Sequence, residues 1–159
     1  MTEEAYTKEQ CFIDTMDHIR LVGDKLDVMI RMLYRAKQAH DHSKTKEPEL
    51  SGFTKATPLL SKGKYGSKAY KEGLLVLEET GALKHHHETN RHHPENHENG
   101  VNGMTLIHVV EMLCDWMAST SRNPDGNILK SIEHKKDSGV IDEQLASILK
   151  NTYLQIFAA

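Results

Sequence analysis

Cysteine is scarce: Cys11 and Cys114 are the two thiols in 159 residues. They stand far apart, and the opening MTEEAYTKEQ is acidic and polar, unlike a secretory leader. This argues against a disulfide-stapled secreted scaffold and for reduced thiols in a cytoplasm. Long hydrophobic runs are missing too. None approaches the ~20 residues of a membrane-spanning helix, so no membrane partner is expected. Neither sign of charge dominates, with 20 basic residues against 23 acidic ones and a net charge of −3. A general attraction to nucleic acid is not implied. Strand-like alternation persists nowhere, and no repeat occurs. What is present is an ordinary soluble composition, 38% hydrophobic and 27% charged, in a length that suits one domain with a real core. The surplus is histidine, at eleven copies.

From Glu9 to Ala39 the residues Phe12, Met16, Ile19, Val22, Leu26, Ile30 and Leu33 recur at helical spacing. Gly23 followed by Asp24 is a candidate kink or break. Thr45 to Gly66 carries two prolines and three glycines and reads as a long loop with short helical turns, a candidate lid. Helical patterns follow at Lys68 to Glu79, with Gly81 as a stop, and at Thr105 to Ser119, with Thr105 as N-cap. NPDG at Asn123 to Gly126 is a turn signal. A short helix over Asn127 to Lys136 and an amphipathic one over Asp142 to Phe157 close the chain. The expectation is an all-α bundle of five to seven helices, one domain over residues 1–159.

Three stretches carry residues with metal-binding chemistry. HDHSK, His40 to Lys44, ends the first helical region with an imidazole and a carboxylate side by side. Such donors suit Mn, Fe, Co, Ni or Zn, and Mg less well; a solvated helix end is the alternative. HHHETNRHHPENH, His85 to His97, holds six histidines in thirteen residues. It is neither terminal nor contiguous, as a tag would be, and Asn90, Arg91, Pro94 and Glu95 punctuate it. A solvated polar loop is the alternative. In HVVEMLCDW, His108, Glu111 and Asp115 share one face of an otherwise apolar helix. A carboxylate buried there needs a cation or a dense set of hydrogen bonds.

The order of these residues, His40-Asp41, the histidine cluster, then Asp115, with His18 as a leading histidine, resembles the HD-domain superfamily of metal-dependent phosphohydrolases. HDHSK is similar to that superfamily's HDxGK form, with Ser43 in place of glycine. HHE at His86 to Glu88 resembles the HD-GYP branch, whose GYP tripeptide is absent. The chain also resembles an uncharacterised bacterial and phage family with the pattern HDxSK, KYGS, HHxxxNxHHPE and EMxxDW, here HDHSK, KYGS at Lys64 to Ser67, HHHETNRHHPE and EMLCDW. That resemblance spans about Asp14 to Thr152.

The resemblance implies an HD-like fold and metal ligands at His40, Asp41, His86, His92, His93 and Asp115. His18 fits less well. It lies 22 residues before His40, roughly 33 Å along a straight helix, so the chain would have to turn back between them. Two metal ions would orient a phosphate and lower the pKa of a water for in-line attack. Lys44, Lys64 and Arg91 are then candidate phosphate contacts, and Glu95 or Glu111 an orienter of a ligand histidine. Lys44, Glu95 and Glu111 make up the candidate catalytic set. The segment from Lys44 to Lys71, with seven lysines against two glutamates, could screen a nucleotide's charge or be a solvated basic loop. The expected activity is hydrolysis of a nucleotide or another small phosphoester. A non-catalytic metal- or nucleotide-binding module and a di-iron oxygenase are the alternatives, and a homo-oligomer stays open.

Overall fold

A computed structural model describes residues 6–62, 66–122 and 125–158. Among these it has seven α-helices, three short 3-10 turns and no strand, so the chain is all-α. The helices are α1 (Lys8–Ala39), α2 (Glu49–Lys62), α3 (Lys68–Glu79), α4 (Ala82–Thr89), α5 (Leu106–Ser121), α6 (Ile128–Asp137) and α7 (Glu143–Ile156). None is long and apolar enough to cross a membrane. The chain divides into two compact units, Met1–Gln38 and Ala39–Ala159.

The first unit is essentially α1, 32 residues without a buried side chain. The helix continues unbroken through Gly23, so the break expected there does not occur. One isolated glycine costs a helix about 1 kcal/mol, which the many apolar and long-chain residues on either side offset.

The second unit holds two apolar clusters. Val109, Met112 and Leu113 of α5 pack with Ile128 and Ile132 of α6 and Ala146 and Leu149 of α7. Ala56 of α2, Leu77 of α3 and Ala82 of α4 form the other, flanked by Phe53 and Leu60. Helix starts are secured by side chains that accept orphan backbone N–H groups. Thr105 accepts from the His108 N–H, and the His108 ring accepts from the Thr105 N–H in return. Asn127 accepts from the Lys130 N–H at the start of α6, and Asp142 from the Leu145 N–H at the start of α7. Gly81, at φ +69°, takes the left-handed position that ends α3.

The stretch read as a lid over Thr45 to Gly66 is instead largely α2. Pro58 lies inside that helix and removes one backbone bond. Tertiary packing outweighs the loss, because Ala56 is fully buried against α3 and α4. Gly52 is there for the approach and not for flexibility. A Cβ on it would meet the Ala82 Cβ at 2.3 Å and the Thr80 Oγ1 at 2.8 Å. Gly52→Ala should therefore destabilise by about 1–3 kcal/mol through overpacking, although alanine is the better helix former. An unchanged or higher midpoint in urea unfolding would show that α2 and α4 do not approach this closely. Lys64 and residues 123–124 of the NPDG turn lie outside the described residues.

Candidate metal centre

The centre is built where α1 ends. His40 follows the helix directly, and Asp41 takes a left-handed backbone, φ 55° and ψ 16°. It is the one non-glycine residue with positive φ among those described. That conformation costs of order 1 kcal/mol, and aspartate tolerates it better than most residues. The turn brings the two side chains into one region, with His40 Nε2 3.6 Å from Asp41 Oδ2. Two other segments complete the walls. The end of α4 and the turn after it carry His86, His92 and His93, and α5 supplies Glu111 and Asp115 four residues apart on one face.

Carboxylates hold the imidazoles from behind. Glu111 Oε1 lies 2.9 Å from His40 Nδ1 and 3.2 Å from His92 Nδ1. Glu49, fully buried at the start of α2, takes His86 Nδ1 at 2.8 Å on one oxygen and His85 Nδ1 at 2.7 Å on the other. Ser43 donates to Glu49 at 3.0 Å, and Asn90 donates to Ser43 at 2.7 Å. With Nδ1–H donating to a carboxylate, each of His40, His86 and His92 presents a bare lone pair at Nε2.

Those three nitrogens face the same carboxylates. His86 Nε2 and His92 Nε2 each lie 3.6 Å from Asp41 Oδ1. His40 Nε2 is 3.7 Å from Asp115 Oδ1. His93 Nε2 stands 2.9 Å from His86 Nε2. Asp41 Oδ1 and His92 Nε2 are buried with no hydrogen-bond partner. Such orphans normally cost 1–3 kcal/mol each. Two acceptors facing each other, one of them anionic, are what a cation would satisfy. Asp41, His86, His92 and His93 bring four ligand atoms within 4.8 Å of one another; His40, His92 and Asp115 form a second such group, and His87, His93 and Glu95 a third. The donors are nitrogen and oxygen, so the cluster can hold a metal ion.

The local field keeps most of these donors free of protons. Burial, helped by the neighbouring His92, His86 and His87, pushes His93 down to about 3. Burial also lowers His86. Burial alone would raise the Glu111 carboxyl, but the bonds from His40 and His92 hold it at about 2. Asp41 is likewise held low, its burial outweighed by Lys44, whose Nζ donates to Oδ2 at 2.6 Å. His40 goes the other way, raised chiefly by its bond to Glu111, so a proton competes there with a metal.

A family model described as a family of unknown function (DUF5662) matches residues 7–155. The chain belongs to the DUF5662 family. Neither the curated proteins nor the solved structures hold a match to it. The family match takes in every residue of the cluster.

In this DUF5662 chain, His40, Asp41, His86, His92, His93, Asp115, Glu111 and Lys44 are brought together. Lys44 is engaged with Asp41 and lies over the Phe53 ring at 4.9 Å. Arg91 is exposed, immediately before His92. Glu95 is also exposed and sits outside the main cluster, grouped with His87 and His93. His18 is in none of the ligand groups found among the described residues. It lies on an exposed apolar strip of α1 beside Leu21, Val22 and Lys25, in a helix without the turn that sharing a metal with His40 requires. Glu49 was not among the sequence candidates. Its signal was available: Glu49, Gly52, Phe53, Ala56 and Leu60 fall on one helical face, so the carboxylate belongs to the buried stripe. Asn90 and His85 were missed because their roles depend on Glu49.

Proposed function

We propose that this centre is a hydrolase site for a small phosphoester, a nucleotide foremost, working with a divalent transition metal from the group Mn, Fe, Co, Ni and Zn. Mg suits the nitrogen donors less well. The observation that carries the reading is the pair of buried, unpartnered atoms Asp41 Oδ1 and His92 Nε2, set among imidazoles whose far nitrogens are fixed by carboxylates. The likeness of the His40-Asp41 … His86 … Asp115 order to the HD-domain superfamily points the same way, and a distant kinship to it is part of the proposal.

His86, His92, His93 and Asp41 would hold one ion. His40 and Asp115, with the second oxygen of Asp41 facing His40, would hold another. When bound, such a cation polarises a phosphoryl oxygen and makes a water more acidic. Glu49 and Glu111 keep the imidazoles in the tautomer and orientation that binding needs. Lys44 holds Asp41 ionised and offers a positive charge beside it. Exposed Arg91 is free to reach a phosphate oxygen from the rim, and Glu95 stands beside His93 to orient it.

The test is phosphate release from a panel of nucleoside mono-, di- and triphosphates. Chelator-stripped protein is reloaded separately with each of Mn, Fe, Co, Ni, Zn and Mg. Turnover with at least one metal, lost again on chelation, is expected. Absence of release with every metal, despite measurable metal uptake, would leave a binding module and end the enzymatic reading.

A further inference from the structure

The length and surface of α1 have no account in the metal centre. We propose that α1 pairs antiparallel with α1 of a second copy of this chain, the two helices crossing near Gly23. Twelve apolar side chains of α1, from Phe12 to Tyr34, are between 37% and 65% exposed. Without Ile13, Leu21, Val28 and Met32, which point to the other side of the helix, they offer roughly 800 Å², about what each partner contributes to a stable interface. Their order is that of a coiled-coil seam. Exposed Phe12, Ile19, Val22, Leu26 and Met29, continued by the half-buried Leu33, follow alternating three- and four-residue steps, interrupted only at Thr15.

Length favours a second copy over the chain's own second unit. An α-helix of 32 residues extends about 48 Å, whereas a domain of about 120 residues spans roughly 35 Å. A second α1 is as long as the first and carries the same stripe.

Charge selects the direction. Up to Asp27 the acids Glu9, Asp14, Asp17, Asp24 and Asp27 outnumber Lys8, Arg20 and Lys25, while the last turns carry Arg31, Arg35 and Lys37 and no acid. Antiparallel copies set the acidic half beside the basic half, whereas parallel copies set like beside like. The seam then opposes Phe12 to Ala36, Thr15 to Leu33, Ile19 to Met29 and Val22 to Leu26, pairing large with small at the ends. Its midpoint falls at Asp24, next to Gly23. A Cβ on Gly23 would meet nothing within 4 Å of its own chain, so the lone chain gives no reason for glycine there. A close helix crossing does.

Light scattering on the full chain, coupled to gel filtration, should give twice the chain mass of 18.0 kDa. Leu26→Glu should halve that mass while metal uptake by the second unit persists. The direction is read from cysteines under mild oxidation. Thr15→Cys together with Leu33→Cys should give a covalent dimer, and Thr15→Cys alone should not, because its two copies lie some 27 Å apart. A monomeric wild type, with α1 lying on its own chain or awaiting another protein, overturns the proposal. Efficient cross-linking of Thr15→Cys alone would mean parallel helices and overturns it equally.

Discussion

Asp41→Ala should abolish metal binding and, with it, the proposed phosphohydrolysis, by about 10³-fold or more. That factor corresponds to the several kcal/mol of charge stabilisation a catalytic metal supplies. Asp41 Oδ1 faces both His86 Nε2 and His92 Nε2 at 3.6 Å, and Oδ2 faces His40 Nε2 at the same distance. Among the described residues, no other carboxylate faces the Nε2 atoms of three imidazoles. Stability separates this from a folding defect. Removing Asp41 deletes a half-buried carboxylate with one orphan oxygen and leaves Lys44 partly in water, but alanine bears the left-handed backbone less well, so the metal-free variant should melt only a few degrees below the metal-free wild type. Saturating metal, at about 100 times its dissociation constant, should stabilise the wild type by about 2.7 kcal/mol, or roughly 5–10 °C, and the variant not at all. A comparable metal-induced shift in Asp41→Ala would remove Asp41 from the site.

The second large effect belongs to Glu49. Its side chain is inaccessible to solvent and takes bonds from His85, His86 and Ser43. Glu49→Ala strands buried donors and opens a void, costing about 3–5 kcal/mol and roughly 10 °C in melting temperature. Glu49→Gln keeps the volume but turns one acceptor into a donor facing an imidazole N–H. It should fold, with metal affinity 10–100-fold weaker because His86 is no longer held. The pH dependence follows from the sign of the shift. Burial opposes ionisation of Glu49, yet its three bonds hold its carboxyl below the ordinary value. Its contribution is therefore complete above the ordinary carboxylate pKa and lost as the pH falls through the lowered one. Acid unfolding of Glu49→Gln should lack that share of the pH dependence. A variant with wild-type stability and metal affinity would mean that Glu49 positions nothing.

How much of this was legible follows from where each residue gets its role. The helix over Glu9 to Ala39 could be read because its apolar period persists, and the N-cap at Thr105 because capping is local. His40, Asp41, Glu111 and Asp115 were legible as chemistry, since adjacent donors and a shared helix face are properties of spacing. The convergence of α4 and α5 on the turn after α1 was not, because it depends on contacts between residues far apart in the chain. Glu49 was hidden by Pro48, Gly52 and Pro58, which look like loop punctuation. Gly52 serves a close helix approach and Pro58 is carried by packing. His18 shows the converse. Histidine is conspicuous in a sequence, but an unbroken helix leaves it on the strip of apolar residues that α1 exposes.

The centre itself is tested most directly by anomalous diffraction from crystals grown with manganese or cobalt, recorded on either side of that metal's absorption edge. A peak is predicted within about 2.0–2.3 Å of Asp41 Oδ1 and His92 Nε2, with His86 completing its ligands. A map without a peak between those two atoms, from protein shown to be saturated with metal, would contradict the account.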